Sequence, residues 1–496
     1  MPWWKGINAC RGEWLVVDRR LLTGIGGLDE VLRGGLLAQR AYLVRGGPGS
    51  GKTTVGLHFL AEGVAAGEPT LFINQGEPEA EVRANAASIG LDLVGITFLD
   101  LTPSATLFTE GQTYDVFHPA EVELEPTTQA IIEAVRQIRP ARVFLDAMTQ
   151  LRYLSLDKVH FRRQAISLLR FLVSQGATVL FASESQHADQ DADMQFMSDG
   201  VIHMDNNAGL RTVMVSKLRG SAFAPGSHSV SIEADGMHVY PRLTPQEHSK
   251  PFVAETLSSG VPEIDELMGG GIERGTVTIM SGPSGVGKTT LGLQFMKEAA
   301  GRGERSVVYT FEENAEVLAY RAQRVNIPVA NMVATGTLSM VQIEPLRYTA
   351  DQFGCMVRDQ VEKADAHLVM LDSISGFGMC MREDQPETYL HAVAKYLRNM
   401  GVTTILINET TNITGDFRAT DNAISYLADN IVYLRYIEIH GELRKVLGVL
   451  KKRMSDFEKT MREFEITRYG VKVGAALTNM RGILHGTPTL VDTPPR

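Results

Sequence analysis

Short apolar runs separated by longer amphipathic stretches set the pattern of this chain. Ala41–Val44, Val143–Leu145 and Val179–Phe181 are apolar at every position. A strand with one wet face alternates apolar and polar residues, so continuous runs read as strands buried on both faces. Between them, Phe161–Val173 carries its apolar residues at helical spacing and reads as an amphipathic helix. The second half repeats the theme with Val369–Leu371 and Thr404–Ile407. Doubly buried strands alternating with helices predict an α/β fold, a mostly parallel sheet flanked by helices on both faces.

The chain also repeats itself. Shifted by 236 residues, the halves align without a gap for about seventy positions. Gly24, Asp29, Glu30, Gly34 and Gly35 fall on Gly260, Asp265, Glu266, Gly270 and Gly271. A period that long is a whole domain, not a solenoid repeat. The seam lies near Pro241–Pro251, whose three prolines and polar residues suit a linker. The expected organisation is an N-terminal extension at 1–19, a first domain at 20–242 and a linker at 243–254. A second domain at 255–474 and a tail at 475–496 follow.

Composition narrows the classes. The 496 residues are 44% hydrophobic and 21% charged, ordinary for a globular chain with room for two or three domains, each with its own core. A net charge of −10 argues against a protein built mainly to grip nucleic acid or an anionic membrane. Cys10, Cys355 and Cys380 are odd in number and lack metal-ligand spacing, which fits reduced thiols. No apolar run approaches the ~18 residues of a membrane helix. Met1-Pro2-Trp3-Trp4-Lys5 is not followed by the apolar core of a signal peptide. A cytoplasmic protein is expected.

Two motifs carry the chemistry. Gly46-Gly47-Pro48-Gly49-Ser50-Gly51-Lys52-Thr53 and Gly282-Pro283-Ser284-Gly285-Val286-Gly287-Lys288-Thr289 both satisfy G-x4-G-K-[ST]. Each follows a strand run and precedes a helix, continuing into Thr54 or Thr290. Such a loop curls its N–H groups around phosphates at the positive end of the next helix. Lys52 and Lys288 would reach the β and γ phosphates of ATP, and the Thr53 and Thr289 hydroxyls would ligate Mg2+. The metal's water shell needs an acid at a neighbouring strand end, and Asp146 and Asp372 close the runs at Val143 and Val369.

Thr310-Phe311-Glu312-Glu313 follows the next strand after Lys288, and Lys451 and Arg453 come before the end of the sheet. Duplicated, this combination resembles the KaiC family of RecA-like ATPases over about residues 20–475. The resemblance implies two tandem RecA-like P-loop domains, ATP and Mg2+ in each, and a hexameric ring with ATP between subunits. It gives Glu312 and Glu313 the task of polarising the attacking water or hydroxyl, with Glu312 also beside the metal. In the first domain Gly76 takes the place of the first glutamate and only Glu77 remains, so binding is expected there with slow turnover. Lys217 with Arg219, and Lys451 with Arg453, match the pair a neighbouring subunit inserts toward the γ-phosphate. Ser425 and Tyr426 stand where the family has adjacent phosphoacceptors, and Thr420 matches a nearby threonine; the first domain has Gln195 and Phe196 instead. A serine autokinase follows from this, with a KaiB-like protein as a candidate partner, although Ala475–Arg496 does not look like the family's regulator-binding tail.

Two other readings compete. In a DNA-handling motor the segments after the fifth strand would carry clustered Lys or Arg. Ser183–Gly200 instead holds Asp189, Asp191, Asp193 and Asp199, and Asn408–Ser425 has a single Arg418, so no nucleic acid is expected. The other reading, an ATP-binding scaffold that barely hydrolyses, draws on Gly76 and reaches only the first domain.

Overall fold

In the computed structural model, the described residues are 19–102, 119–149, 157–184, 192–381, 386–410, 425–478, 480–483 and 489–490. They form two units divided between Arg242 and Leu243.

In the first unit, β1 (Arg20–Leu21) and β2 (Leu36–Leu37) make a small antiparallel pair. The main sheet comprises β3 (Ala41–Gly46), β4 (Thr70–Asn74), β5 (Thr97–Asp100), β6 (Arg142–Asp146) and β7 (Thr178–Ser183). It continues through β8 (Gly200–Asn207), β9 (Leu210–Leu218), β10 (Ser227–Glu233) and β11 (Gly236–Tyr240). Its spatial order is β11-β10-β9-β8-β3-β7-β6-β4-β5. From β5 to β8 the neighbours run parallel, and β8 to β11 fold back as an antiparallel meander.

The second unit repeats the plan. A short pair, β12 (Thr256–Leu257) and β13 (Ile272–Glu273), precedes β14 (Val277–Gly282), β15 (Arg305–Thr310), β16 (Leu338–Gln342), β17 (Ala366–Asp372) and β18 (Thr403–Glu409). Then come β19 (Asn430–Ile439), β20 (Glu442–Lys452), β21 (Arg462–Thr467) and β22 (Gly470–Ala476). The order β16-β15-β17-β18-β14-β19-β20-β21-β22 is that of the first sheet, strand for strand. The duplicated, mostly parallel α/β fold read from the sequence is the fold observed.

Packing explains why the strand runs lack polar positions. Tyr42, Val44, Phe72, Phe144 and Leu180 point into one core with Phe59 of the helix Lys52–Ala65. Leu43, Leu71, Ile73, Val143, Leu145, Val179 and Phe181 point into the opposite core with Ile131, Phe161 and Leu169. Successive side chains of a strand face opposite sides, so a sheet covered on both faces needs apolar residues at every step. The second unit divides Met280, Val308, Met370 and Ile405 from Ile279, Val307, Val369 and Leu406 in the same way.

Residues 243–254 lie against the second unit. Leu243 packs beside its helix Ala350–Glu362, and the Asn399 amide donates to the Pro245 carbonyl at 2.7 Å. The Phe252 ring covers Gly275 and Gly401, where an added Cβ would come within 2.6 Å of it. Beyond β22, a two-residue pair joins β23 (Met480–Arg481) to β24 (Thr489–Leu490), and Ile483 is buried against Ile437 and Val446. Among the described residues no helix is long and apolar enough to cross a membrane.

Candidate functional site

Each phosphate loop sits at the C-terminal end of the central parallel strand, β3 or β14. In the second unit Gly287 caps the helix Lys288–Gly301 with φ +116°, a left-handed conformation that costs any L side chain about 1–2 kcal/mol. A Cβ there would also stand 2.5 Å from the Ile466 Cδ1, so side chains press close under the loop. Gly51 does the same job at φ +99° in the first unit.

Lys288 is 4% exposed and donates to the Gly282 and Pro283 carbonyls at 2.8 and 2.9 Å. Burial lowers its pKa, opposed by the charge of Glu409. The Thr289 hydroxyl donates to Asp372 Oδ2 at 2.7 Å, and burial raises the Asp372 pKa above its ordinary value. The Ser373 hydroxyl donates to Glu312 Oε1 at 3.1 Å while also capping the helix Ile374–Cys380. Glu313 is paired with Arg321 at 2.9 Å. Around these groups lies a cavity of about 450 Å³ lined by Ser284, Gly285, Lys288, Thr289, Glu312, Asp372 and Glu409, among others. That is within the range of a nucleotide pocket. A hydroxyl and a carboxylate side by side under a phosphate loop are the donor set Mg2+ uses when it keeps most of its water, so these residues fit the ion.

The first unit has the same frame with fewer acids. Lys52 donates to the Gly47 carbonyl at 2.9 Å, and Thr53 donates to Asp146 Oδ2 at 2.6 Å. Burial lowers Lys52 and raises Asp146. Gly76 leaves the first glutamate's position without a carboxylate, and the residue after Asp146 is Ala147, so the Ser373 hydroxyl is missing too. Asn85 stands where Arg321 does and donates to Glu77 Oε2 at 3.3 Å.

Several neighbours of the site escaped the sequence reading. Lys445 and Arg211 reach from β20 and β9 to the Gly285 and Gly49 carbonyls at 3.0 and 3.2 Å, each bracing its loop. Glu184 directly follows β7 and Glu409 is the last residue of β18, the same strand in the two halves. Their recurrence was a readable signal, because both stand one residue beyond equivalent positions, Ser183 and Asn408.

The remaining expected residues lie elsewhere. Asp199 and Asp429 bond to the first residues of β3 and β14, and Arg219 and Arg453 bond to those aspartates in turn. Both arginines therefore sit at the opposite end of the central strand from their own loop, about 20 Å away for six residues at ~3.3 Å each. Lys217 donates to the Gln195 and Ser198 carbonyls at 2.7 and 2.5 Å, and Lys451 to those of Ser425 and Ala428 at 3.0 and 2.7 Å. Both lysines thus close a turn of their own unit. Ser425 is exposed on that turn, and Tyr426, 53% exposed, lies against His391 with ring centroids 5.6 Å apart. Thr420 and Cys10 fall outside the described residues.

A family model described as "ATPase: KaiC" matches residues 21–244 and again 257–478. The chain belongs to the KaiC ATPase family. Among curated KaiC proteins it is similar to the circadian clock oscillator protein KaiC of Prochlorococcus marinus, 29% identical over 492 residues, 95% of each chain. The oscillator protein of Acaryochloris marina is 27% identical over 494 residues, 95% of this chain and 92% of its own. The circadian clock protein KaiC3 of Synechocystis is 28% identical over 484 residues, 95% of this chain and 94% of its own. The two KaiC matches coincide with the two nine-stranded sheets, so each half carries a whole family domain.

Proposed function

We propose that this KaiC-family ATPase binds Mg-ATP in both units, assembles as a ring of six, and phosphorylates itself at Ser425 as a regulatory or timing device. What carries the reading is the second-unit cavity. There a buried lysine, a threonine–aspartate pair and a serine-anchored glutamate converge under a phosphate loop. Lys288 and the loop N–H groups would hold the phosphates, with Pro283, Ser284, Gly285, Val286, Gly287, Thr289 and Thr290 forming the cradle. Thr289 and Asp372 would hold Mg2+, which when bound neutralises charge on the phosphates. Glu312 would take the nucleophile's proton, oriented by Ser373, and Glu313 would support it from its pairing with Arg321. In the first unit Gly47, Pro48, Gly49, Ser50, Gly51, Lys52, Thr53 and Thr54 would bind ATP with Asp146, leaving Glu77 alone as base.

The far-end position of Arg219, Arg453 and Ser425 supports the ring. None of them reaches ATP in its own subunit, and each would meet it across a boundary between neighbours. Arg453 would then neutralise the γ-phosphoryl charge as Ser425 attacks. Lys217 and Lys451 would shape the turn that presents these groups, since their ammonium groups are already engaged in their own subunit. Ser425 is preferred over Tyr426 because a phenol carries its hydroxyl several Å farther out. The domain limits proposed are 20–242 and 255–474, with 243–254 between them.

Intact mass after incubation with Mg-ATP, combined with native mass, tests both claims. Expected are one added phosphate that maps to Ser425 and a hexamer that forms with nucleotide. Glu312→Gln should keep ATP binding and lose the transfer. A protein monomeric in saturating Mg-ATP sinks the ring, and unchanged mass under every condition leaves the ATPase alone.

A further inference from the structure

β18 ends on Glu409, whose backbone pairs with Gly282 at the mouth of the second loop. The next N–H, that of Thr410, donates to the Gly282 carbonyl at 3.1 Å. This fixes the Glu409 backbone beside the loop while leaving its side chain 37% exposed and able to swing. Its Oε1 lies 3.5 Å from Lys288 Nζ, and the carboxylate lines the same cavity as Glu312, Asp372 and Thr289. The other two contacts of that buried ammonium are neutral carbonyls. Among the described residues, Glu409 is therefore the anion within ion-pair distance of Lys288.

The first unit keeps the acidic position, with no ion pair between Glu184 and Lys52 among the described residues. Arg45 pairs with Ser183 as the equivalent Ser281 pairs with Asn408, so Glu184 stands at the position of Glu409. Lys52 feels the charge of Glu184 together with that of Asp146. A carboxylate held beside the second loop lysine calls for a reason, because the substrate that lysine awaits is itself an anion.

We propose that Glu409 is a stand-in counter-ion for Lys288, displaced by the γ-phosphate, and thereby the residue that sets how strongly this site prefers a triphosphate to a diphosphate. The inference rests on the nucleotide-binding reading above. Lys288 reaches the β and γ phosphates, and the γ-phosphate oxygens need the side of the ammonium that Glu409 holds. Two anions cannot share that side at contact distance in a half-buried site. ATP must therefore push the carboxylate away, whereas ADP ends short of it and leaves the pair in place. The displacement cost falls on ATP alone, and a ligand shifts an equilibrium only by such differential interactions. Glu409 thus narrows the gap between substrate and product affinity, and its swing marks the arrival of a γ-phosphate at the end of β18.

The test compares binding of Mg2+ with the non-hydrolysable analogue AMP-PNP, and of Mg-ADP, by calorimetry on the full chain. The Lys288→Ala variant identifies which of the two transitions belongs to the second unit. Glu409→Gln keeps the shape and removes the charge. It is expected to tighten AMP-PNP about tenfold at that site and to change ADP less than about twofold. Glu409→Asp, which keeps the charge but withdraws it by one methylene, should fall between, and it covers the case in which the amide variant folds poorly. Equal shifts for both nucleotides, no shift in either, or weaker AMP-PNP binding overturn the inference. A wild-type chain that binds neither nucleotide removes the proposed function and this inference together. One that binds both while Glu409→Gln leaves their ratio unchanged removes only the inference.

Discussion

If Gly76 is what slows the first unit, putting a glutamate there should speed it. A Cβ on Gly76 would meet no atom within 4 Å, and its φ lies outside the left-handed region. Replacing glycine at such a site stabilises by about 0.4–1 kcal/mol through the unfolded state. A fourth carboxylate near Glu77, Asp146 and Glu184 costs about as much at an exposed position. The two nearly cancel, so Gly76→Glu should leave Tm within roughly 4 °C of wild type.

Turnover should move much more. A positioned general base is worth ~100-fold or more, and Glu77 already supplies part of that. The new side chain would lack the hydroxyl that orients its counterpart, because Ala147 replaces Ser373. A hydrogen bond to a charged group contributes about 1.5–3 kcal/mol, enough to hold back a tenfold gain in rate. Gly76→Glu alone should therefore raise kcat about tenfold, and Gly76→Glu with Ala147→Ser about a hundredfold. Steady-state ATPase is measured in a Lys288→Ala background so that the second unit is silent. A folded, ATP-binding double variant with unchanged kcat would falsify the assignment of Glu312 as base, since the same pair would be doing nothing in the same frame.

Other outcomes follow from the same frame. Gly56 and Gly292 are equivalent helix glycines; a Cβ would lie 2.3 Å from the buried Phe144 ring in one case and 2.3 Å from the flexible Met370 Sδ in the other. Gly56→Ala should lower stability by about 2–3 kcal/mol and Gly292→Ala by less than about 1, read by denaturant unfolding. Asp372 has its pKa raised by burial, so its contribution favours the fold below the ordinary value of 3.8 and is lost as pH rises through the folded value. Asp372→Asn should accordingly raise the nucleotide-free Tm at neutral pH while shrinking the Tm gain on adding Mg-ATP; a lower Tm without nucleotide refutes the sign. Lys52→Ala should impair ring formation more than Lys288→Ala, as followed by light scattering with Mg-ATP, and equal defects would count against assembly resting on the first unit.

The sequence made legible what lies close together along the chain or recurs at a fixed shift. Runs such as Val143–Leu145 predicted doubly buried strands because burial on both faces removes every polar position. The loops at Lys52 and Lys288 and the strand-end Asp146 and Asp372 were readable because glycine, lysine and acid are needed at set places. Contacts made across strands were not. Whether Glu409 faces Lys288 depends on the pairing of β18 with β14, and whether Lys217 reaches outward or closes its own turn depends on the register of β9 against β8. Counting charges along Asn408–Ser425 found few cations and passed over Glu409, an acid in ion-pair distance of the loop lysine. The meander from β8 to β11 was missed for a similar reason, since antiparallel and parallel strands look alike in a run of apolar residues.

Comparing the two halves turns duplication into an internal control. Glu312, Ser373 and Arg321 come from three separate segments, following β15, following β17 and on the helix Ala315–Gln323. Their counterparts Gly76, Ala147 and Asn85 differ at all three places. The lysine, the threonine–aspartate pair and the cation bracing the loop keep their contacts in both halves. What differs is the apparatus that would position a base, and what persists is the apparatus that would hold a triphosphate. On the function proposed above, that division suits a first unit that binds ATP and a second that would carry the chemistry.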